Sequence, residues 1–274
     1  MKLTKGQTKA FFKLIKDESR DTYSECIDML HQYPELANAI VNGMAKGIDR
    51  YSSLMLAIRF YKFKFALALI EAGADVNYID DSTERTTHQP VFFDLLEMLR
   101  NAIEVHDVIC IEEGLDVWQM MAAHGLDYGK KSKVNDNVNR VENCLEACIR
   151  FMWRYGNKHK VHHETKYDPH GAYISNYRLS EDSRDVMQEK WYELIMEKLV
   201  GCVNEDLVLE IDANKLRHSG TVFEIMPEQV VIIDCFSLDI ASKYVYQRFG
   251  RVFKNINDDF FAVQLKSIAR KIVY

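Results

Sequence analysis

The sequence is short of the two residues that most often punctuate irregular structure, with 4 prolines and 12 glycines among 274 residues. That scarcity excludes collagen-like and low-complexity classes, and a hydrophobic share of 47% excludes a disordered chain. No apolar run approaches the roughly 18 residues that a transmembrane helix needs, so no membrane span is expected. The first residues, Met1-Lys2-Leu3-Thr4-Lys5-Gly6-Gln7, turn polar at once and hold no apolar secretory core. The 6 cysteines show no CxxC spacing. Without an export signal, reduced thiols in a cytoplasm are expected rather than a disulfide framework. A basic excess is lacking as well: 35 Lys and Arg against 41 Asp and Glu leave a net charge of -6, which argues against a dedicated nucleic-acid binder. There is no GxSxG elbow, no phosphate-cradling glycine loop and no HExxH pair. Adjacent acids such as Glu112-Glu113 and Asp258-Asp259 would point in different directions on a helix. No catalytic residue and no cofactor is expected.

What is present is helical periodicity. Leu54, Ala57 and Ile58 are spaced to form one apolar helix face; Phe65, Ala66, Leu69 and Ile70 form another, with Tyr61-Lys62 at the break between them. Gly73 follows where a left-handed C-cap is needed, a conformation that costs glycine no Cβ clash. The segment predicts a helical hairpin that ends in an extended turn.

Those residues resemble an ankyrin repeat, whose consensus runs T-P-L-H-x-A, a second helix, then L-L-x-x-G-A-D-V-N. Gly73-Ala74-Asp75-Val76-Asn77 matches it letter for letter, and Leu54 and Ala57 match the first part. Ser52, Ser53 and Met55 stand where the family has Thr, Pro and His, which removes its usual turn hydrogen bonds. One repeat cannot bury its own apolar face, so neighbours are required. Upstream, Cys26-Ile27, Leu30 and Pro34 to Asn38 align with Phe65-Ala66, Leu69 and Gly73 to Asn77. Downstream, Val117-Trp118, Met121 and Gly125 to Gly129 repeat the signature. Pro90 takes the family's Pro position, and the helix it opens, Val91 to about Val105, is expected to be longer than usual. A fourth unit is expected to begin near Val141, with Cys144 and Cys148 filling its core.

Near Tyr155 the character changes. Residues 156–183 read as a polar loop, and Arg184 to Val200 as a helix with Val186, Trp191, Leu194, Ile195 and Leu199 on one stripe. Leu207 to Ile211, Thr221 to Ile225 and Val230 to Ile233 look like strands, and Asp258 to Val273 like a final amphipathic helix. The expected fold is mainly α: a degenerate ankyrin-like solenoid of helical hairpins over 1–155, about three to four units, then an α+β or irregular helical region over 156–274. A basic island with Lys130, Lys131, Lys133, Arg140, Arg150, Arg154, Lys158 and Lys160 reads first as a solvated face, with a docking patch for an acidic partner or a phosphate-bearing ligand as the alternative.

Four histidines fall in the polar stretch. His162 and His163 with Asp168 form a weak candidate metal set, since their spacing matches no helical ligand pair. The resemblance implies a better set. In ankyrin proteins the inter-repeat turns project as fingers, the first helices form a concave surface, and both bind partner proteins. Carried onto this chain, finger positions are Asp49, Arg50, Tyr51, Tyr78, Asp80 and Asp81; the inter-helix segment presents Arg59, Tyr61 and Lys62. Tyr and Arg dominate interface energies, although Tyr51 and Tyr78 could equally pack between turns. The expected function is a cytoplasmic, monomeric protein-binding module with no nucleic acid and no membrane as partner. Short degenerate ankyrin-like chains also resemble bacterial immunity proteins, which implies a toxin as one partner; the acidic first half would suit a basic one. The alternatives are an effector or metal-dependent enzyme whose chemistry lies in 156–274, and a purely structural homo-oligomer.

Overall fold

The computed structural model describes residues 3–19, 21–42, 48–80, 87–134, 140–156, 161–167, 173–179, 186–211 and 240–251. The chain is mainly helical and divides into two compact units, Met1–Cys144 and Leu145–Tyr274, a boundary that precedes the composition change near residue 155.

Among the described residues of the first unit, six α-helices pair into three hairpins: α1 (Lys5–Lys16) with α2 (Tyr23–Gln32), α3 (Ser53–Arg59) with α4 (Phe63–Glu71), and α5 (Val91–Glu104) with α6 (Val108–Ala123). First helices touch first helices, α1 to α3 to α5, and second helices touch second helices, α2 to α4 to α6. Three of them, α1, α3 and α6, begin on a side-chain cap. Thr4 and Gln7 close a capping box on α1, with the Thr4 N–H donating to Gln7 Oε1 at 2.8 Å. The Ser52 hydroxyl accepts from Met55 N at 3.1 Å to cap α3, and the Ser53 hydroxyl donates to Leu36 O at 2.7 Å. The two serines therefore supply turn hydrogen bonds that the missing Thr and His were expected to remove. Asp107 caps α6 through Cys110 N at 3.0 Å.

The periodic residues form the core. Phe11, Cys26, Leu54, Ala57, Phe65, Leu69, Val117, Trp118 and Met121 are buried, and Phe11 meets Phe65 edge-on at 5.6 Å. In the third hairpin Phe92 packs edge-on against Trp118 and Tyr128, while the Trp118 indole N–H donates to the Tyr128 hydroxyl at 2.9 Å.

The third hairpin is taller than the second. α5 has 14 residues where α3 has 7, and α6 has 16 where α4 has 9, so each helix gains seven. Seven residues are close to two full turns, so the added length of about 10 Å keeps the buried face in phase. Where the added turns cross, Gly114 is buried in α6. A Cβ there would lie 2.7 Å from Leu99 Cδ2.

Short extended arms leave the hairpins at the opposite end. Ile40 bridges Ser52 and Ile79 bridges Pro90; β1 (Thr87–His88), β2 (Ser132–Val134) and β3 (Arg140–Glu142) form an antiparallel sheet with β2 central.

In the second unit, α7 (Cys144–Gly156) buries Leu145, Ala147, Cys148, Ile149 and Phe151. β4 (Val161–Tyr167) pairs antiparallel with β5 (Tyr173–Leu179), from Val161 opposite Leu179 to Tyr167 opposite Tyr173. The polar stretch thus holds two paired strands where a loop was expected; Val, Thr, Ile and Tyr at intervals give them strand preference despite their polarity. α8 (Val186–Cys202) buries Tyr192, Ile195, Met196, Leu199 and Val200, while Leu194 is exposed, so the buried stripe is turned from the one expected. Leu207 to Ile211 is not a strand: α9 (Glu205–Leu209) starts where the Asn204 side chain accepts from Leu207 N at 3.0 Å, with Glu205 and Asp206 in its first turn. α10 (240–249) follows. Lys243 pairs with Glu193 at 3.3 Å, Arg251 with Glu205 at 2.6 Å, and the Arg248 guanidinium donates to Val200 O. The expected strands at 221–225 and 230–233 and the helix at 258–273 lie outside the described residues.

Candidate functional site

One turn recurs after successive hairpins. Gly73 and Gly125 both hold left-handed backbone, at φ 86° and 83°. Two residues on, the Asp75 side chain accepts from Asn77 N at 2.9 Å and the Asp127 side chain from Gly129 N at 2.8 Å. The preceding turn's asparagine then grips this one with both ends of its amide. Asn38 Nδ2 donates to Gly73 O at 2.8 Å, and its Oδ1 accepts from Asp75 N at 2.8 Å. Asn77 does the same one hairpin later, with Nδ2 donating to Gly125 O at 2.8 Å and Oδ1 accepting from Asp127 N at 2.7 Å. A side-chain amide has one donor face and one acceptor face, so it can satisfy a carbonyl and an N–H of the next turn together.

The inter-helix ends of the hairpins match as well. Tyr61 and His106 occupy left-handed backbone at φ 53° and 58°. Lys62 N donates to Ala57 O, and Asp107 N to Ala102 O, each at 2.9 Å.

Against this frame the candidate positions separate. Asp49, Arg50 and Tyr78 are half-buried at the arm end, where the Tyr78 hydroxyl donates to Arg50 O at 2.5 Å. Tyr51 and Asp80 are buried, which removes both from an accessible finger. Tyr51 lies beneath the Arg59 guanidinium, 5.6 Å from ring centre to Cζ; the Asp80 backbone pairs with Gln89 O and the His88 ring. Arg59 is an internal cross-link rather than a presented cation. It pairs with buried Asp94 and with Glu97 at 3.2 Å, and Gln89 Nε2 donates to Asp94 Oδ1 at 3.0 Å. Burial alone would lower the Arg59 pKa, but Asp94, then Tyr51 and Glu97, outweigh it and hold it above its ordinary value.

Tyr61 stays exposed and Lys62 half-exposed. The Tyr61 ring meets Phe63 edge-on at 5.9 Å. Partial burial raises its pKa, against a hydrogen bond with Asn101 that lowers it. Asp81 and Asp168 lie outside the described residues. His162 and His163 occupy consecutive positions of β4, opposite Arg178 and Tyr177.

Two of the first helices, α3 and α5, are largely covered. Every residue from Ser53 to Ile58 is buried, and so is every residue from Val91 to Leu96. The signal was legible: Leu54-Met55-Leu56-Ala57-Ile58 is apolar on all sides, the pattern of a helix covered all round. The hollow bounded by Val76, Pro90, Phe92, Tyr128 and Cys144 is too tightly filled to admit water, so it is packing. Cys144 and Cys148 are buried core, and burial pushes the Cys148 thiol up to about 12. Among the described residues no group of three or more His, Cys, Asp or Glu is placed to hold a metal ion, and no helix is long and apolar enough to cross a membrane.

What sequence reasoning missed is the far end of the third hairpin. Val105, Val108 and Ile109 are exposed around His106, although apolar residues straddling a turn were there to be read. Comparison with models of protein families, with curated proteins and with solved structures finds no match to this chain.

Proposed function

We propose that the first unit is an ankyrin-like solenoid whose role is to bind another protein. The observation that carries this reading is the recurring clamp, in which Asn38 and Asn77 each hold the glycine turn of the next hairpin through the same two hydrogen bonds. A turn repeated with its partner interactions marks a stacking unit, because each hairpin leaves an apolar side that only its neighbour closes. The residues of that turn, Gly73 to Asn77, also carry the ankyrin resemblance. Stacked units of this kind offer rigid, laterally extended ends for recognition. Here the accessible positions are Asp49 and Tyr78 at the arm end, and Tyr61 and Lys62 at the inter-helix end. The buried first helices take no part in this proposal.

The test is site-specific photocrosslinking in the source cells. The intact chain carries the crosslinker at Asp49 or at Tyr61, with exposed Asp28 on α2 as control. One protein crosslinked from either site but not from Asp28, and forming a defined complex once purified, is the expected result. Crosslinks no different from the control at both sites would refute the reading.

A further inference from the structure

We propose that the projecting end of the third hairpin, Val105, Val108 and Ile109, together with Tyr61 of the second hairpin beside its base, docks a basic amphipathic segment of a partner protein. The inference rests on the binding-module reading and names where and what the module binds.

The added turns of α5 and α6 carry this end about 10 Å past the second hairpin. Two contacts mark where the second hairpin stops. Lys64, at the start of α4, reaches Glu113 at 3.5 Å, and Phe63 Cζ lies 3.6 Å from where a Gly114 Cβ would sit. Beyond that level three aliphatic side chains stand exposed around His106 and Asp107. Val105 is 72% exposed, Ile109 69%, Val108 38% and Tyr61 38%. The Tyr61 hydroxyl, hydrogen-bonded to Asn101 and close to Cys110, ties the neighbouring turn to the same patch. Contiguous exposed aliphatic side chains with an aromatic beside them are what a protein surface withholds unless something covers them.

Charge selects the occupant. Between Asn101 and Tyr128 the chain has 6 carboxylates and no lysine or arginine. Glu112 and Asp116 are exposed on the same helical face as Ile109, and Asp107 is exposed at the tip. Of the cations near this end, Lys64 pairs with Glu113 and Arg100 with Glu104, while Lys62 stands half-exposed beside Tyr61, outnumbered by the carboxylates. An apolar patch with an acidic rim fits an aliphatic or aromatic anchor flanked by lysine and arginine. A second copy of this chain would set two acidic rims face to face, and an anionic lipid surface would be repelled by the same rim.

The probe is a fluorescent amphipathic Leu/Lys peptide, with its Leu/Glu counterpart as control, titrated against the intact chain by anisotropy. The Leu/Lys peptide is expected to bind with a salt-sensitive affinity, and the Leu/Glu peptide not at all. Val105→Ser with Ile109→Ser should weaken binding by about tenfold or more while leaving the circular dichroism and urea midpoint unchanged. Glu112→Gln with Asp116→Asn should lower affinity at low salt and flatten the salt dependence. No binding overturns the proposal. So does binding that both variant pairs leave intact, because the peptide would then be drawn to acidic surface elsewhere. Self-association that Val105→Ser and Ile109→Ser abolish would overturn it in favour of a dimer contact. A partner crosslinked at Asp49 whose affinity ignores the Val105/Ile109 variant keeps the binding module and removes this surface. Absence of any crosslinked partner removes the module itself.

Discussion

Replacing Asn77 with alanine takes away both hydrogen bonds that hold the Gly125 turn. Each is worth roughly 0.5 to 1.5 kcal/mol net, but Gly125 and Asp127 are exposed enough for water to take over part of the loss. The expected cost is therefore about 1 to 2 kcal/mol, read from a urea midpoint at constant slope. Asn38→Ala should cost the same within about 0.5 kcal/mol, because Asn38 makes the same pair of bonds to Gly73 and Asp75. Hydrogen exchange separates the two. The Asp127 amide donates to Asn77 and should lose roughly tenfold protection in Asn77→Ala, while the Asp75 amide, held by Asn38, should not change. Asn77→Asp keeps the acceptor but loses the donor to Gly125 O, so it should fall between wild type and alanine. A cost below about 0.5 kcal/mol, or joint loss of protection at Asp75 and Asp127 in one single variant, would refute the idea of separate, equivalent clamps.

Three further outcomes follow from the same interior. Gly114→Ala should destabilise by about 1 kcal/mol, because overpacking against Leu99 outweighs the helix-propensity gain, and the sign should reverse in a Leu99→Ala background; an additive double-mutant cycle would refute the contact. Asp94→Ala should cost about 2 to 3 kcal/mol by removing the buried partner of Arg59 and leaving its guanidinium to Glu97, whereas Arg59→Met with Asp94→Leu should cost less than that single change. Burial pushes the Cys148 thiol up to about 12 and the Cys110 thiol, by burial and then Asp107, up to about 11, from the ordinary value of 9.0. The folded chain then holds protons that the unfolded chain releases, so the thiols' contribution to stability should be constant below pH 9 and fall as pH rises above it. Peptide mapping after alkylation at pH 8 should find exposed Cys202 labelled well before Cys148.

The parts of the fold legible in the sequence were those written in local chemistry. Helical spacing located α3, α4, α5 and α6, Gly73 announced its left-handed turn, and Gly125 holds the matching place in the repeated signature. The clamps were legible only as letters: nothing local to Asn38 or Asn77 names a carbonyl 35 or 48 residues away. Leu207-Val208-Leu209 has strand-like composition, and one upstream asparagine with two acids decided for a helix. The histidine stretch failed for the opposite reason, since polar residues hid the β-branched and aromatic positions that pair in β4 and β5. Among candidate site residues, Tyr61 kept its exposure because it sits at a turn. Tyr51 and Asp80 lost theirs because a neighbouring arm and helix cover what a single repeat would leave open.

The seven-residue increment sets a rule for changing hairpin height. Seven residues rotate a helix by about 20° short of two turns, whereas four or five would swing its buried side by roughly 40° or more. Excising one such block from α5 and a matching block from α6 should therefore yield a hairpin level with its neighbour and still seated on it, with its crown of Val105, Val108 and Ile109 lowered by about 10 Å. Reach and seating are thus separable in this chain, and a partner's access to the crown can be tuned without touching the asparagines that keep the hairpins in line.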